Sequence, residues 1–231
     1  MELEIVVVAK EEELKHIVNK RNIRTHVNRI EEHDFNKAIQ KTSFDIMMFS
    51  CDDIQYYDSL AEKVKIAFES HPDADIIIFN VNMELGKQSY WNTKWRRLTA
   101  KFLENYKTFG IAIRHDVVND CGLRFSEVDS LSKDGCAMFL KRALKSNLRV
   151  YLAPVVIGDI LPDIEKQLRQ KDERQYYAVG TLYKKLYGLK GYIYGLRFLH
   201  NEKKRLLING ETDRLKIKTA KQELFRGIRL S

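Results

Sequence analysis

The sequence feature that most constrains the fold is an alternation between short apolar runs and helix-like stretches over the first 160 residues. The apolar runs are rich in Ile, Val and Phe, and they occupy residues 3–8, 44–49, 75–81, 108–114 and 149–156. Runs of this kind are typical of strands that are buried on both faces. Helical patterns separate them, at residues 11–20, 33–41, 59–70, 90–105 and 134–146. The alternation predicts an α/β sheet that binds its ligands at the carboxyl ends of the strands.

The chain changes character after Pro162, where convincing strand patterns cease and tyrosines become frequent. Leucine and isoleucine recur at steps of three or four between residues 182 and 199, which predicts an amphipathic helix. Gly188, Gly191 and Gly195 predict a break in that helix. We therefore expect an α/β domain over residues 1–160 and a helical C-terminal extension over residues 161–231.

The positive charge of the chain lies in this extension. Residues 181–231 contain 13 Lys and Arg against 4 Asp and Glu, a net charge of +9, whereas the whole chain carries +8. Tyrosines and cations beside an apolar face suit the headgroup layer of an anionic membrane surface. Nucleic acid is the less favoured partner, because no known reader motif occurs and the remaining residues are nearly neutral. A solvated basic helix that packs on the α/β domain is the third interpretation.

Several classes of protein are excluded because their motifs are missing. The three cysteines form no C-x-x-C pair, which argues against a disulfide framework and a structural zinc site. The absence of a Gly-rich phosphate loop and of a G-x-S-x-G elbow argues against ATPases, dehydrogenases and α/β-hydrolases. The sequence also shows no signal peptide and no apolar run of about 18 residues. We expect a cytoplasmic protein, held peripherally at the inner membrane face through residues 181–231.

An acidic pair, Asp52 and Asp53, directly follows the predicted strand at residues 44–49. Carboxylates at the carboxyl end of a strand face the ligand crevice of an open α/β sheet. Their hard oxygen atoms suit Mg²⁺ or Mn²⁺, which in turn binds the phosphates of a nucleotide. The alternative is that one of the two residues only caps a helix that begins near Tyr57.

Two further polar segments are candidates for contacts with an acceptor. Trp91, Trp95, Arg96 and Arg97 belong to the predicted helix at residues 90–105, and they would either line a sugar or lipid-phosphate groove or pack as the core face of that helix. The triplet from Arg114 to Asp116 follows a predicted strand, and its neighbouring His and Asp are too common a pair to indicate catalysis.

The order of these segments resembles the inverting family 2 glycosyltransferases of bacterial capsule and lipopolysaccharide type. The resemblance covers residues 3–156 and is distributed over many short matches. The matching segments are residues 4–8, Asn36 to Ile39, Asp45 to Asp53, residues 67–80, Phe109 to Arg114, Leu123 to Phe125 and Asp134 to Pro154. The resemblance implies a GT-A-like fold, with a mixed, mostly parallel sheet flanked by helices.

The resemblance also implies an activity and its residues. The protein would transfer a sugar, with inversion, from a nucleotide sugar to a surface-polysaccharide or lipid-linked acceptor, as a hexosyltransferase. Asp53, helped by Asp52, would bind Mg²⁺ or Mn²⁺ and the diphosphate of the donor. Asn36 would lie near the donor, and Asp134 would be the general base, unless it only caps the following helix.

Departures from the family pattern support a second interpretation. The first strand unit of the family, whose P-x-Y-N turn holds the nucleobase, has no counterpart before Leu3. The D-x-D triplet reads Cys51-Asp52-Asp53, and the E-D pair falls on Gly135 and Cys136. The alternative function is therefore a catalytically degenerate relative that binds a partner in glycan assembly. A homodimer, in which a second subunit supplies the missing unit, would also be compatible with this pattern.

Overall fold

The computed structural model describes residues 3–8, 36, 39–40, 44–51, 54–83, 92–101, 103, 106, 110–126, 136–160, 173–208 and 214–231. In these residues seven strands form one sheet: β1 (Leu3–Val8), β2 (Ile46–Cys51), β3 (Ile54–Tyr56), β4 (Ile76–Met83), β5 (Arg96–Arg97), β6 (Ile111–Arg114) and β7 (Val150–Ile160). The helices are α1 (Leu60–Ser70), α2 (His115–Asp120), α3 (Ala137–Lys145), α4 (Glu173–Tyr187), α5 (Gly191–Ile208) and α6 (Arg214–Leu230), and a 3₁₀ turn spans Gly188–Lys190.

The sheet is mixed, with the strand order β1-β2-β6-β4-β7-β3 and with β5 on the outer side of β7. The parallel pairs are β1 with β2 and β4 with β7, whereas β6 runs antiparallel to both β2 and β4. Strands β1, β2, β4 and β7 therefore share one direction, and their carboxyl ends meet at the same edge. This arrangement confirms the predicted α/β class with a helical C-terminal part.

Successive side chains along each strand belong alternately to two hydrophobic clusters, one on each face of the sheet. Met47 and Ile76 belong to the cluster that includes α3, whereas Ile46 and Ile77 belong to the cluster that includes α1. Both faces are apolar, which is why the strands read as continuous apolar runs rather than as alternating ones. Each fully buried large side chain, such as Phe68 on α1, contributes about 1.5–3 kcal/mol to the free energy of unfolding.

The C-terminal helices pack on the sheet domain and on one another. Leu182 of α4 belongs to the cluster that includes α3, and Lys141 of α3 donates hydrogen bonds to two carbonyl groups at the end of α4. Helices α4 and α6 pack so closely that a Cβ atom at Gly180 would lie 2.0 Å from the Leu224 carbonyl oxygen. The predicted break is confirmed at Gly188, whose φ of +58° favours glycine. The division of the chain at residue 160 stays a prediction.

Two short strands were not predicted, and both pair with β7. The segment before α1 forms β3, which pairs with the last residues of β7. Within the predicted helix at residues 90–105, Arg96 and Arg97 form β5 on β7, and the Leu98 N–H group donates to the Val150 carbonyl at 2.8 Å. The prediction of a helix over this segment is wrong in the described residues 92–101, because a free strand edge offers the backbone long-range partners that local spacing does not reveal.

The remaining helix predictions have mixed outcomes. Helices α1 and α3 confirm the helices predicted at residues 59–70 and 134–146, although α3 begins only at Ala137. Asn36, Ile39 and Gln40 are helical, as expected for the stretch at residues 33–41. The helix predicted at residues 11–20 lies outside the described residues. Helix α2 was not predicted.

Candidate functional site

Strands β2 and β4 both extend past the described part of β6 toward the carboxyl edge of the sheet, and the region between their carboxyl halves is called the slot. Met48 of β2 and Ile77 of β4 both pair with Ala112 of β6. Pairing between β6 and β4 ends at Ile78, whereas β2 continues to Cys51 and β4 to Met83. Because β6 lies between the two strands, β2 and β4 are separated by two strand spacings, or about 10 Å, where both pair with it. A slot of this kind is where open α/β sheets bind ligands.

The connection from β2 to β3 forces the sheet to curl at this edge. Two residues separate Cys51 from Ile54, so the Cα atoms of these two residues are at most about 11 Å apart. In a flat sheet the four strand spacings between β2 and β3 would amount to about 19 Å. The pairing of β4 with β7 shifts register between Ile78 and Asn80 and again between Asn80 and Asn82, where a bend is expected. The curl brings the carboxyl ends of β2 and β7 toward each other.

Strand β4 changes from apolar to polar residues where the slot begins. Asn80 is completely buried, and its side chain holds the backbone of Asn92. The Asn80 amide donates to the Asn92 carbonyl oxygen at 2.8 Å, and its oxygen accepts from the Asn92 N–H group at 3.0 Å. Both polar groups of the buried amide are therefore satisfied, and the segment that leads into β5 is fixed at the mouth of the slot.

Asn82, Asp159 and Tyr57 form a hydrogen-bonded cluster at the ends of β4 and β7. Asn82 and Asp159 are paired residues of the two strands, and the Asn82 amide nitrogen lies 2.8 Å from the Asp159 Oδ1 atom. The Tyr57 hydroxyl accepts from Asn82 at 2.8 Å and donates to Asp159 Oδ1 at 2.8 Å. These contacts join residues from three separate parts of the chain at the carboxyl edge, close to the start of β3.

The environment of Tyr57 keeps its hydroxyl protonated. Burial raises the pKa of Tyr57 above its ordinary value of 10.0, and the hydrogen bond to Asp159 and the charge of that carboxylate raise it further. The Lys63 ammonium lies 4.7 Å from the centre of the Tyr57 ring and donates to the Val156 carbonyl at 2.8 Å. The Tyr57 hydroxyl therefore keeps its proton at neutral pH and continues to donate its hydrogen bond to Asp159.

Arg96 of β5 is an exposed cation that is linked through Asn92 to Asn80. Its guanidinium donates to the Asn92 side-chain oxygen at 3.2 Å, and it also hydrogen-bonds Tyr106. Burial raises the pKa of Tyr106, and the charge and hydrogen bond of Arg96 offset part of this effect. The Tyr106 carbonyl in turn accepts from the buried Cys136 thiol at 3.2 Å, so this group reaches the N-terminus of α3.

Three of the four candidate site residues, Asp52, Asp53 and Asp134, lie outside the described residues. The chain nevertheless limits their neighbourhood. The acidic pair connects Cys51, at the end of β2, with Ile54, which pairs with Ile160 of β7. Asp134 precedes the buried Cys136 by two residues, and Cys136 is the residue before α3. Their proposed roles stay predictions.

The fourth candidate, Asn36, holds the backbone of Phe125. Its amide nitrogen donates to the Phe125 carbonyl at 3.0 Å, and its oxygen accepts from the Phe125 N–H group at 2.7 Å. Phe125 packs edge-on against Phe49 of β2, with the ring centres 5.0 Å apart, and stacks on Phe139 of α3. Asn36 thus connects its helical segment to the residues that support β2, and a contact with the donor stays a prediction.

The described residues alone do not form a metal centre. They contain no group of three His, Cys, Asp or Glu side chains that is arranged to bind a metal ion. The Asp159 carboxylate is a hard oxygen ligand of the kind that Mg²⁺ and Mn²⁺ prefer, but its Oδ1 atom already accepts two hydrogen bonds. A metal at this edge would need ligands besides Asp159, and Asp52 and Asp53 stay the predicted ones.

The other candidate contacts of the sequence analysis separate into different regions. Trp95 stacks on His71 with the ring centres 3.9 Å apart, and it packs against the cluster that includes α1. Arg114 lies at the carboxyl end of the antiparallel β6, hence at the amino edge of the parallel strands, where it donates to the Ala74 carbonyl at 2.9 Å. His115 is held there as well, 3.0 Å from the Ile39 carbonyl oxygen. Arg96 is linked through Asn92 to Asn80 of β4, and Trp91 lies outside the described residues.

Sequence reasoning missed Asn80, Asn82, Tyr57 and Asp159 as members of one site. The sequence of β4 contains a usable signal, since its residues at alternating positions change from isoleucine to asparagine toward the carboxyl end. A buried strand that becomes polar on one face at its carboxyl end indicates a ligand edge. Asp159 gave no comparable signal, because its partner Asn82 is 77 positions away in the sequence.

The curled mixed sheet, the covering helices and the helical C-terminal part together define a glycosyltransferase-like α/β fold. Solved structures of S. aureus TarS have this fold. TarS 1–349 in complex with UDP-GlcNAc superimposes with a TM-score of 0.60 at 12% identity, over 79% of this chain and 66% of TarS 1–349. The structure of TarS 1–349 alone gives a TM-score of 0.57 at 11% identity, over 79% of this chain.

Two facts limit this similarity. The chain spans 64% of the length of TarS 1–349 and 39% of the longer TarS structure. No protein-family model matches the sequence, and no curated protein does. The structural similarity therefore establishes the fold. Among the described helices, none combines the length and the hydropathy that a bilayer-spanning segment requires.

Proposed function

We propose that this protein is an inverting glycosyltransferase of family 2 type that takes its sugar from a nucleotide sugar. One observation carries the proposal: the acidic pair follows β2 at the slot between β2 and β4, with the Asn82–Asp159–Tyr57 cluster at the same edge. TarS, which has the same fold, was solved in complexes with UDP-GlcNAc and with UDP. A UDP-sugar is therefore the first donor to test.

Asp53, with Asp52, would bind Mg²⁺ or Mn²⁺ at the end of β2. When bound, the metal neutralises charge on the donor diphosphate and on the departing nucleoside diphosphate. Arg96 is the described cation best placed to assist, because it is exposed and its guanidinium is oriented by Asn92 and Tyr106. A guanidinium held in this way donates paired hydrogen bonds to phosphate oxygens. Asn36 would contribute through Phe125, which supports β2.

The proposed reaction exchanges one glycosidic bond for another. The acceptor hydroxyl oxygen attacks the anomeric carbon from the side opposite the diphosphate, and the bond from that carbon to the diphosphate oxygen breaks with its electron pair. Because attack and departure occur on opposite sides of the anomeric carbon, the configuration inverts, while Asp134 takes the proton of the acceptor hydroxyl and a nucleoside diphosphate leaves. The position of Asp134 just before α3 suits a carboxylate, because the helix N-terminus carries a partial positive charge. The acceptor would be a surface polysaccharide or a lipid-linked glycan.

A second candidate is a degenerate relative that binds a partner in glycan assembly. Two observations favour it: Cys51 occupies the first position of the D-x-D triplet, and both polar groups of the Asn36 amide are engaged by Phe125. A metal that has lost one carboxylate ligand is bound more weakly, and donor binding would weaken with it.

Calorimetric titration with UDP-GlcNAc and UDP, with and without Mn²⁺, distinguishes the two candidates. We expect Mn²⁺-dependent binding that Asp53→Asn weakens by roughly 100-fold, because a ligand of the metal is lost. Asp120→Asn, at the exposed end of α2 on the opposite edge, is the matched control and should bind as the unaltered protein does. No binding by a folded protein across a panel of nucleotide sugars would favour the partner-binding relative.

A further inference from the structure

The outward face of α5 and the 3₁₀ turn before it carry three strongly exposed apolar side chains. The exposed fractions are 80% for Leu189, 68% for Ile193 and 58% for Leu196. These residues recur at steps of four and three, so they form one stripe along the helix. Gly191 and Gly195, on the opposite side, are buried, and a Cβ atom at Gly195 would lie 3.0 Å from an Ile228 side-chain atom of α6. The orientation of α5 is therefore settled, and the stripe faces away from the protein.

Cations border this stripe, and exposed carboxylates are absent from it. Exposed basic residues accompany the stripe along its length: Lys190, Arg197, Lys203 and Lys204. The one acidic residue between positions 189 and 204 is Glu202, which is 5% exposed on the inward side. Its carboxylate accepts a hydrogen bond from the Tyr176 hydroxyl at 2.9 Å. The outward face thus presents apolar side chains and positive charge without a balancing negative charge.

We propose that this face, formed by residues 189–204 and called here the basic stripe, binds the surface of an anionic lipid bilayer. Apolar side chains along the middle of a helix enter the boundary between headgroups and acyl chains, while Lys and Arg at the sides reach the lipid phosphates. The local excess of cations provides the attraction to anionic headgroups. The inference goes beyond the sugar-transfer proposal and does not depend on it, because none of these residues belongs to the slot.

Charge disfavours the other occupants of the stripe. In a symmetric dimer built on it, the same residues of both copies would meet, and the cations beside one stripe would face those beside the other. Nucleic acid would be attracted by the cations, but it offers no apolar surface to cover Leu189, Ile193 and Leu196. A bilayer with anionic lipids satisfies both the apolar and the charged part of the face.

Co-sedimentation with vesicles tests the proposal. We expect the protein to bind vesicles that contain phosphatidylglycerol in phosphatidylcholine, and to bind pure phosphatidylcholine vesicles at least about tenfold more weakly. Ile193→Asp should weaken binding to the anionic vesicles about tenfold or more, because a charge enters the apolar stripe. The combined variant Arg197→Gln, Lys203→Gln and Lys204→Gln should weaken it comparably and reduce its dependence on salt.

The matched control is Ile66→Asp, which changes another exposed isoleucine, 51% exposed on α1, outside the stripe. It should bind vesicles as the unaltered protein does, and thermal unfolding should show that all variants are folded. Equal binding to both kinds of vesicle, no binding to either, or an equal loss in Ile66→Asp would overturn the proposal. Light scattering that finds a dimer abolished by Ile193→Asp, without vesicle binding, would identify a second copy as the occupant instead.

Discussion

The two edges of the sheet use polar residues in different ways. At the amino edge two side chains support the backbone: Arg114 donates to the Ala74 carbonyl at 2.9 Å, and Asp75 accepts from the Arg149 N–H group at 2.6 Å. At the carboxyl edge, side chains from different strands bond to one another, as in the Asn82–Asp159–Tyr57 cluster. The contacts of Arg114 and Asp75 hold the chain at the first edge, whereas those of the cluster join side chains at the candidate site.

This difference shows that the types of residue at an edge do not by themselves indicate function. Arg114 and His115 are candidates for a contact with the acceptor in the sequence, yet both side chains bond to backbone carbonyls. Asn82 and Asp159 are unremarkable in the sequence, yet their strands bring them together beside the slot. The partners of a polar side chain, rather than its chemistry alone, separate a structural role from a functional one.

The largest expected effect is on stability, and it tests whether Asn80 supports the backbone at the carboxyl edge. Asn80→Leu removes a buried amide that satisfies both the N–H and the carbonyl group of Asn92. Leaving two buried backbone groups without partners should lower the free energy of unfolding by about 2–5 kcal/mol. Chemical denaturation measures this change. Asn119→Leu, which alters an exposed asparagine at the amino edge, should change it by less than about 0.5 kcal/mol; similar losses in both variants would contradict the comparison.

Two arginine variants test whether the residues at the two edges differ in function. Arg96→Gln should weaken nucleotide binding about tenfold and lower the free energy of unfolding by less than about 1 kcal/mol, because this guanidinium is exposed although it hydrogen-bonds Asn92 and Tyr106. Arg114→Gln should lower the free energy of unfolding by about 1–2 kcal/mol, because it loses its bond to the Ala74 carbonyl and its place over the Phe68 ring. Titration calorimetry measures the nucleotide affinity of each variant, and denaturation measures its free energy of unfolding. Equal effects of the two variants on binding would remove the distinction.

The smallest expected effect depends on pH. The pKa of Tyr57 is raised above 10.0 in the folded protein, so from about pH 10 upward the unfolded chain releases this proton first. Stability from this group is therefore complete below pH 10 and is lost as the pH rises through the folded pKa. Tyr57→Phe should cost about 1 kcal/mol near pH 8, where it loses a hydrogen bond.

Denaturation of both proteins between about pH 8 and pH 11 checks this expectation. The unaltered protein should lose more stability over this range than Tyr57→Phe does, so the two curves converge. The other tyrosines with raised pKa values, Tyr106 and Tyr151, are common to both proteins and cancel in the difference. Parallel curves would show that the hydroxyl of Tyr57 does not titrate with folding.

Much of the fold could be predicted from the sequence, because local patterns determine it. The long strands β4 and β7 are apolar runs whose burial on both faces is visible in their composition. The short strands β3 and β5 could not be predicted, since their few residues become strands only by pairing with β7. The helix break at Gly188 was predictable, because a positive φ at that point favours glycine.

The site could be predicted only in part. The position of Asp52 and Asp53 at the end of a strand is a sequence property, and the strand is confirmed as β2. The cluster around Asp159 depends on a hydrogen bond to Tyr57, 102 positions away, and on register shifts in β4. For Asn36, the family pattern predicts a contact with the donor. Its observed hydrogen bonds go to Phe125, which is 89 positions away and which the sequence did not indicate as its partner.

The two-residue connection between Cys51 and Ile54 has a consequence for how this protein can vary. Because this connection can span at most about 11 Å, it limits how far the ends of β2 and β3 can lie from each other and therefore how flat this edge of the sheet can be. Each inserted residue would add up to about 3.5 Å of slack, enough to let β3 and the end of β7 swing away from β2. Length variation should therefore be tolerated elsewhere on the surface before it is tolerated in this connection.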